Sequence, residues 1–473
     1  MLGAAGLLTV VTLLGLVAGL GREWLLVASW GAGARTDGFL IAMFIPEAVR
    51  TILAGGLLSS AGMALWQARD PEARAAWVGR LTLGMGTVAL GLSLLWSLAS
   101  VWWVRLIGPG LGEGVWPVAA HALSILAWTM PGLFLQALWS VPLQAQGRFL
   151  LSGLGSLVYN LPAVTWLAWH RGAATEAELA VAFVCGASAT ALVMWPAARH
   201  EGLRLARLRW DTAAMRELGA RVAPLLGSAL GGQGLMLLER IVASWLGEGI
   251  VTVLNLARKL VNLPLVALMS VNQVLLGLMS KGGQGERLPL LRQGLALNTL
   301  ITTPASVGML LAAQAIVALL FPKVQGTAVL GPLLGWYAAA LVMAGWNTLL
   351  ARYNHAAGDT RVPFFCETAG NIANALALPL LAWLWGAQGM AIALVLGLMV
   401  NGALLLQANR LWRVVRLPML LLAGGLPLAL SAFLLLPWLP TLPVWRLAAS
   451  TLAGLVCLSV LAMWLRPWRP VPA

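Results

Sequence analysis

Five basic residues interrupt long apolar runs of this chain: Arg22, Arg50, Arg240, Arg258 and Lys259. A charge at the centre of a bilayer costs about 2.5–3.5 kcal/mol on insertion scales, so such residues face a cavity or a partner rather than lipid. Arg22 stands in Gly21-Arg22-Glu23-Trp24, Arg50 follows Pro46-Glu47, and Lys259 precedes Pro264 by five residues. A guanidinium offers parallel N–H donors that match phosphate oxygens, whereas an ammonium supplies a point charge. Arg22, Arg50, Lys259 and Arg258 are therefore the candidate substrate-binding residues, suited to an anion of phosphate geometry. Plainer roles compete with this one. Arg22 can snorkel to the interface, Glu47 and Arg50 at i,i+3 can form a structural pair, and Glu239-Arg240 can close a contact between two halves of the chain.

Other polar residues have narrower options. Asp37 follows Thr36 at the start of an apolar run, where it can cap a helix or close a gate. Asp37, Glu47 and Glu239 make up the expected gating or lobe-contact set. Glu367, Asn371 and Asn374 recur at i, i+4 and i+7 on one helix face. Glu367 and Asn371 are candidates for ion coupling, set against a polar contact between helices. Cys185, Cys366 and Cys457 lie in apolar stretches without ligand spacing, and His121, His170, His200 and His355 are scattered, so no metal site is expected. No G-x-x-x-x-G-K-[ST] loop is present. The reading is of a protein with no catalytic residues and no cofactor, driven by a coupling cation or the membrane potential.

The elements that position these residues follow from composition. Of 473 residues, 60% are apolar and 10% charged, and the mean hydropathy is +0.86. A soluble domain carries roughly a quarter charged residues, so a water-soluble enzyme and a disordered chain are both excluded. At about 20 residues per span, the apolar runs predict an all-α polytopic membrane protein of fourteen spans, among them 38–66, 222–246, 250–280, 361–385 and 387–409. The run from Leu2 has no basic leader and no small-residue cleavage site, so it is expected to be the first span. The net charge of +14 belongs to topology rather than to nucleic acid. Twenty Lys and Arg flank the loops after even-numbered spans and five flank the odd ones, which predicts cytoplasmic termini.

Val27-Ala28-Ser29-Trp30 recurs as Val242-Ala243-Ser244-Trp245, each followed by a glycine turn and a span bearing a basic residue and a proline. The repetition predicts two pseudo-symmetric six-helix lobes, 1–198 and 222–412, joined by a basic cytoplasmic loop, 199–221, with a helix pair at 413–473. Two-lobed repeats are a transporter architecture, with the site between lobes near the midplane.

Gly19-x-x-Arg22-Glu23, Gly31-Ala32-Gly33-x-x-Thr36-Asp37-x-Phe39, Ile45-Pro46-x-x-x-Arg50 and Gly56-x-x-Ser59 resemble the opening of the MurJ (MviN) lipid II flippases, of the multidrug/oligosaccharidyl-lipid/polysaccharide exporter superfamily. The resemblance implies V-shaped lobes around a cationic cavity and a groove beside spans 13–14 for a polyprenyl tail. It places Arg22, Arg50 and Asp37 on positions needed for function, and Lys259 where the family has an arginine. Gly15-Leu16 stand where the family has serine-arginine, and Gly55 where it has a glutamate. The function it implies is movement of undecaprenyl-pyrophosphate-linked lipid II across the bacterial plasma membrane by alternating access. The implied partners are that polyprenyl-pyrophosphate-linked glycan and membrane lipids, and nothing in the sequence requires more than a monomer. The alternatives are a flippase for another polyprenyl-linked oligosaccharide and a non-transporting scaffold.

Overall fold

The computed structural model describes residues 2–54, 57–200, 209–261, 275, 279, 284–321, 329–412 and 417–466. Among the described residues the regular structure is helical, without strands. The chain divides into two compact units, Met1–Thr252 and Val253–Ala473. The first holds α1 (Leu2–Trp30), α2 (Ala34–Ala42), α3 (Phe44–Ala54), α4 (Leu57–Gln67), α5 (Pro71–Leu98), α6 (Ser100–Ile107) and α7 (Val115–Leu126). It continues with α8 (Met130–Ala145), α9 (Phe149–His170), α10 (Glu176–His200) and α11 (Thr212–Trp245). Helix α12 (250–261) runs into the second unit. There follow α13 (Gln284–Leu320), α14 (Leu330–Ala356), α15 (Arg361–Ala408), α16 (Leu417–Leu430) and α17 (Pro443–Leu465).

Ten segments of the described residues are long and apolar enough to cross a membrane. One of them, α15, has 48 residues, which at 1.5 Å per residue is more than twice the ~30 Å hydrocarbon core. It is two helices that meet at Gly386 (φ 59°, ψ −139°), a conformation open to glycine and strained for other residues. The break falls between the expected spans 361–385 and 387–409. The expected span 250–280 lies outside the described residues beyond 261, apart from 275 and 279.

The expected span 38–66 is interrupted, and its proline says why. Pro46 has no N–H to give to the carbonyl of Ala42, so the chain turns at Met43 and restarts as α3. Pro46 then sits in the first turn of α3, where an N–H has no intrahelical acceptor anyway. The result places Glu47 and Arg50 on a short helix of their own.

Residues 212–221 were expected in a cytoplasmic loop and are instead the opening turns of α11. Asp211 caps them by accepting from the Ala214 N–H at 3.0 Å, and Arg80 Nη1 lies 2.9 Å from its other oxygen. That N–H first, and Arg80 with it, hold the half-buried Asp211 carboxyl below the usual carboxylate range. Arg69 pairs with Glu217, while Ala214 and Leu218 are buried among Trp66, Trp77 and Leu138. Capping and an apolar face outweigh the basic composition that suggested a loop. Residues 201–208 of that loop lie outside the described residues.

Small residues let the helices of the first unit approach closely. A Cβ on Gly186 of α10 would collide with the Tyr159 carbonyl of α9, and one on Gly132 of α8 with the Ala187 carbonyl of α10. Without a hydrophobic force between helices in lipid, such contacts carry the packing. Gly186→Ala is expected to lower stability by about 1–3 kcal/mol, read as the thermal unfolding midpoint in detergent. Gly91→Ala, with no heavy atom within 4 Å of the added carbon, serves as the neutral control.

Candidate functional site

Arg22 lies in the interior of α1, 3% exposed, among apolar neighbours that cannot satisfy a guanidinium. Three polar side chains take up its Nη groups, and its buried Nε is left without a hydrogen-bond partner among the described residues. Its Nη1 donates to Asn160 Oδ1 of α9 at 2.8 Å, and its Nη2 donates to Glu23 Oε1 and, at 3.1 Å, to Glu47 Oε1 of α3. The Phe183 ring of α10 lies under the guanidinium, 4.9 Å away. Glu47 turns its second oxygen to Arg50, accepting from Nε at 3.0 Å and Nη2 at 2.9 Å. Arg50 in turn stands 5.0 Å from the Tyr159 ring.

Two guanidinium and two carboxylate groups thus close into one network whose formal charges cancel. Glu47 is the bridge. The i,i+3 pairing that the sequence offered as an alternative is part of this arrangement, while Arg22 is enclosed in it and does not snorkel. Arg22 is enclosed, whereas Arg50 keeps 27% of its side chain exposed and lines a cavity of about 140 Å³ between α3, α8 and α9. Arg22 is placed to orient Glu47, and Glu47 to orient Arg50. The sequence reading did not single out Asn160, Tyr159 or Phe183. A Tyr-Asn pair inside the apolar run Leu157-Val158-Tyr159-Asn160-Leu161 was the available signal.

Asp37 does not cap its own helix. The chain reverses at Gly31 (φ 82°), Thr36 Oγ1 donates back to the Gly31 carbonyl at 2.6 Å, and α2 starts at Ala34 with Asp37 already in its first turn. The Asp37 carboxylate, 1% exposed, reaches the start of α12 instead. It accepts from the Gly249 N–H at 2.6 Å and from the Thr252 N–H and Oγ1–H at 2.8 and 2.5 Å. These free amides and the positive helix end are where a carboxylate is held best. Nearby, Arg240 Nη1 donates to the Leu40 carbonyl at 2.9 Å, and the Gly110 N–H to Ser244 Oγ at 3.1 Å. The end of α11 and the start of α12 are fastened to α2 and the α6–α7 turn by four residues' worth of polar contact.

The repeated tetrapeptide occupies matching places: Val27–Trp30 ends α1 and Val242–Trp245 ends α11. Left-handed glycines follow each, Gly31 after the first and Gly247 and Gly249 after the second. Glu239 is buried on α11 and engaged. Arg258 and Lys259 are half-buried on α12 within the second unit, and both are engaged. On α15, Glu367 is exposed, Asn371 half-buried and Asn374 buried, its Oδ1 without a hydrogen-bond partner among the described residues. No cluster of three or more His, Cys, Asp or Glu suited to a metal occurs among the described residues.

The family model of the lipid II flippase MurJ matches residues 26–464. The chain belongs to the MurJ family. A probable lipid II flippase MurJ of Rhizobium meliloti is 28% identical over 462 residues, spanning 88% of this chain and 83% of the relative. A MurJ relative from Thermotoga maritima, also named as a probable lipid II flippase, is 24% identical over 386 residues, 80% of this chain and 79% of its own. The fold agrees with a solved lipid II flippase MurJ in an inward closed conformation, at a TM-score of 0.84 over 98% of this chain and 99% of that one, with 18% identity. An inward-facing multidrug resistance MATE transporter of the MOP superfamily is similar at 0.70, covering 85% of this chain and 97% of that one, with 16% identity. The all-helical fold expected of the MurJ family is thus the fold observed.

Proposed function

We propose that this protein moves lipid II, a polyprenyl-pyrophosphate-linked peptidoglycan precursor, from the inner to the outer leaflet of the bacterial plasma membrane by alternating access. The match of residues 26–464 to the MurJ family carries the reading. It is transport, with no bond made or broken. Arg50 meets the pyrophosphate, Arg22 holds Arg50 in place through Glu47, and Lys259 and Arg258 add cations from the second lobe. Asp37 on the first turn of α12, with Glu239 and Arg240 beside it, is the contact that opens when access alternates. Glu367 and Asn371 are the candidate coupling site. Fourteen spans in two six-helix lobes and a C-terminal pair, both termini cytoplasmic and a monomeric state complete the proposal.

The neutral Arg22–Glu23–Glu47–Arg50 network bears on the driving force. Arginines already matched by carboxylates leave a bound pyrophosphate most of its own negative charge. An inside-negative potential then favours outward movement by about 2.3 kcal/mol per charge per 100 mV if the full field is crossed. The test of function is rescue of a bacterium depleted of its own lipid II flippase. Growth restored by this chain is the expected result. No growth at confirmed membrane expression, in a host that a second MurJ relative rescues, would overturn the reading.

A further inference from the structure

The cavity beside Arg50 is lined by groups that a cation site for phosphate does not need. Gln136 and Gln144 of α8 and Ser152 and Ser156 of α9 face it together with Arg50 and Tyr159. Tyr159 is 1% exposed, and its hydroxyl is buried without a hydrogen-bond partner among the described residues. Arg50 spends Nε and Nη2 on Glu47. Apart from Arg50 the lining is uncharged and mixes donors with acceptors: amides offer both, and so do hydroxyls. Leu53 and Leu133 add an apolar wall.

Size narrows the guest. A cavity of about 140 Å³ is well below the ~300–1,000 Å³ of pockets that enclose a whole drug-sized ligand. It holds one unit of a larger headgroup. In a polyprenyl-pyrophosphate-linked glycan the unit bonded directly to phosphate is a sugar, so the group that follows a phosphate on Arg50 is a sugar ring. We propose that the cavity between α3, α8 and α9 is a subsite for that first sugar, with the Gln136 and Gln144 amides reading an N-acyl group and neighbouring hydroxyls. The inference rests on the flippase reading above and adds to it the residues that select the glycan.

Two ligands separate the subsite from the function as a whole. Purified full-length protein is titrated with undecaprenyl pyrophosphate, which has no sugar, and with lipid II, which carries N-acetylated sugars. The parent chain binds lipid II the more tightly of the two. Gln136→Leu and Gln144→Leu each weaken lipid II binding about tenfold, the worth of one good hydrogen bond, and leave undecaprenyl pyrophosphate unchanged. Ser156→Ala, a smaller change, weakens lipid II alone in the same direction. Equal loss for both ligands, or no loss for either, would overturn the sugar subsite while the flippase reading stands. A parent chain that binds neither ligand would overturn both.

Discussion

Arg22→Ala is expected to abolish rescue of a flippase-depleted bacterium and to destabilise the protein by about 3–5 kcal/mol, the range for removing one partner of a buried ion pair. The reason is the partner left behind. Glu23 is 1% exposed and would keep a buried charge without the Arg22 guanidinium beside it, and Asn160 would lose its donor. Lost stability alone could account for lost growth, so a second variant separates the two. Arg22→Ala with Glu23→Gln removes both charges together and is expected to recover most of the thermal stability. Rescue stays absent, because Glu47 is no longer held from the α1 side and Arg50 is no longer fixed at its cavity. Growth of the double variant at parental rate would reduce Arg22 to a structural residue. Arg22→Lys is expected to fall between, since an ammonium keeps the charge but cannot reach Asn160 and two carboxylates with a planar fork.

Asp37→Ala is the other large effect. Three hydrogen bonds from the start of α12 end on its carboxylate, and bonds to a charged group are worth roughly 1.5–3 kcal/mol each before partial compensation by water. A net loss of about 3 kcal/mol corresponds to hydrogen exchange at the Gly249 and Thr252 amides about a hundredfold faster, and that is the measurement. Asp37→Asn keeps one accepting oxygen and is expected to show an intermediate rate. If the contact is the one that opens during transport, Asp37→Ala also cuts rescue sharply while the protein remains folded. Unchanged exchange at both amides, with growth intact, would sink the gating role.

Much of the molecule was legible in the sequence. Hydropathy pointed to a helical membrane protein, because spanning a bilayer demands length and apolarity that few other constraints can imitate. The intramembrane cations were equally visible, since a charge in lipid is costly wherever it lies. The turn at Gly386 was signalled too, since it falls between the expected spans 361–385 and 387–409, whereas the break before Pro46 cuts a span expected to be continuous.

Partnership was another matter. Sequence spacing relates residues one or two helical turns apart, and it correctly offered Glu47 with Arg50. It could not relate Arg22 to Asn160, 138 positions away, or Asp37 to Thr252, 215 positions away. Those pairings depend on which helix crosses which: where α1 crosses α9, for example, Gly15 lies so close that a Cβ on it would press against Ser156. The same limit turned residues 212–221 from an expected loop into the start of α11, because the Asp211 cap and the Arg69–Glu217 pair are properties of a packed surface. The sequence alone showed cations set within long apolar runs. Only the tertiary structure decided that two of them would be neutralised by Glu23 and Glu47, leaving Arg50 the one of the pair that faces a cavity, since burial and hydrogen-bond reach exist only once the helices have packed.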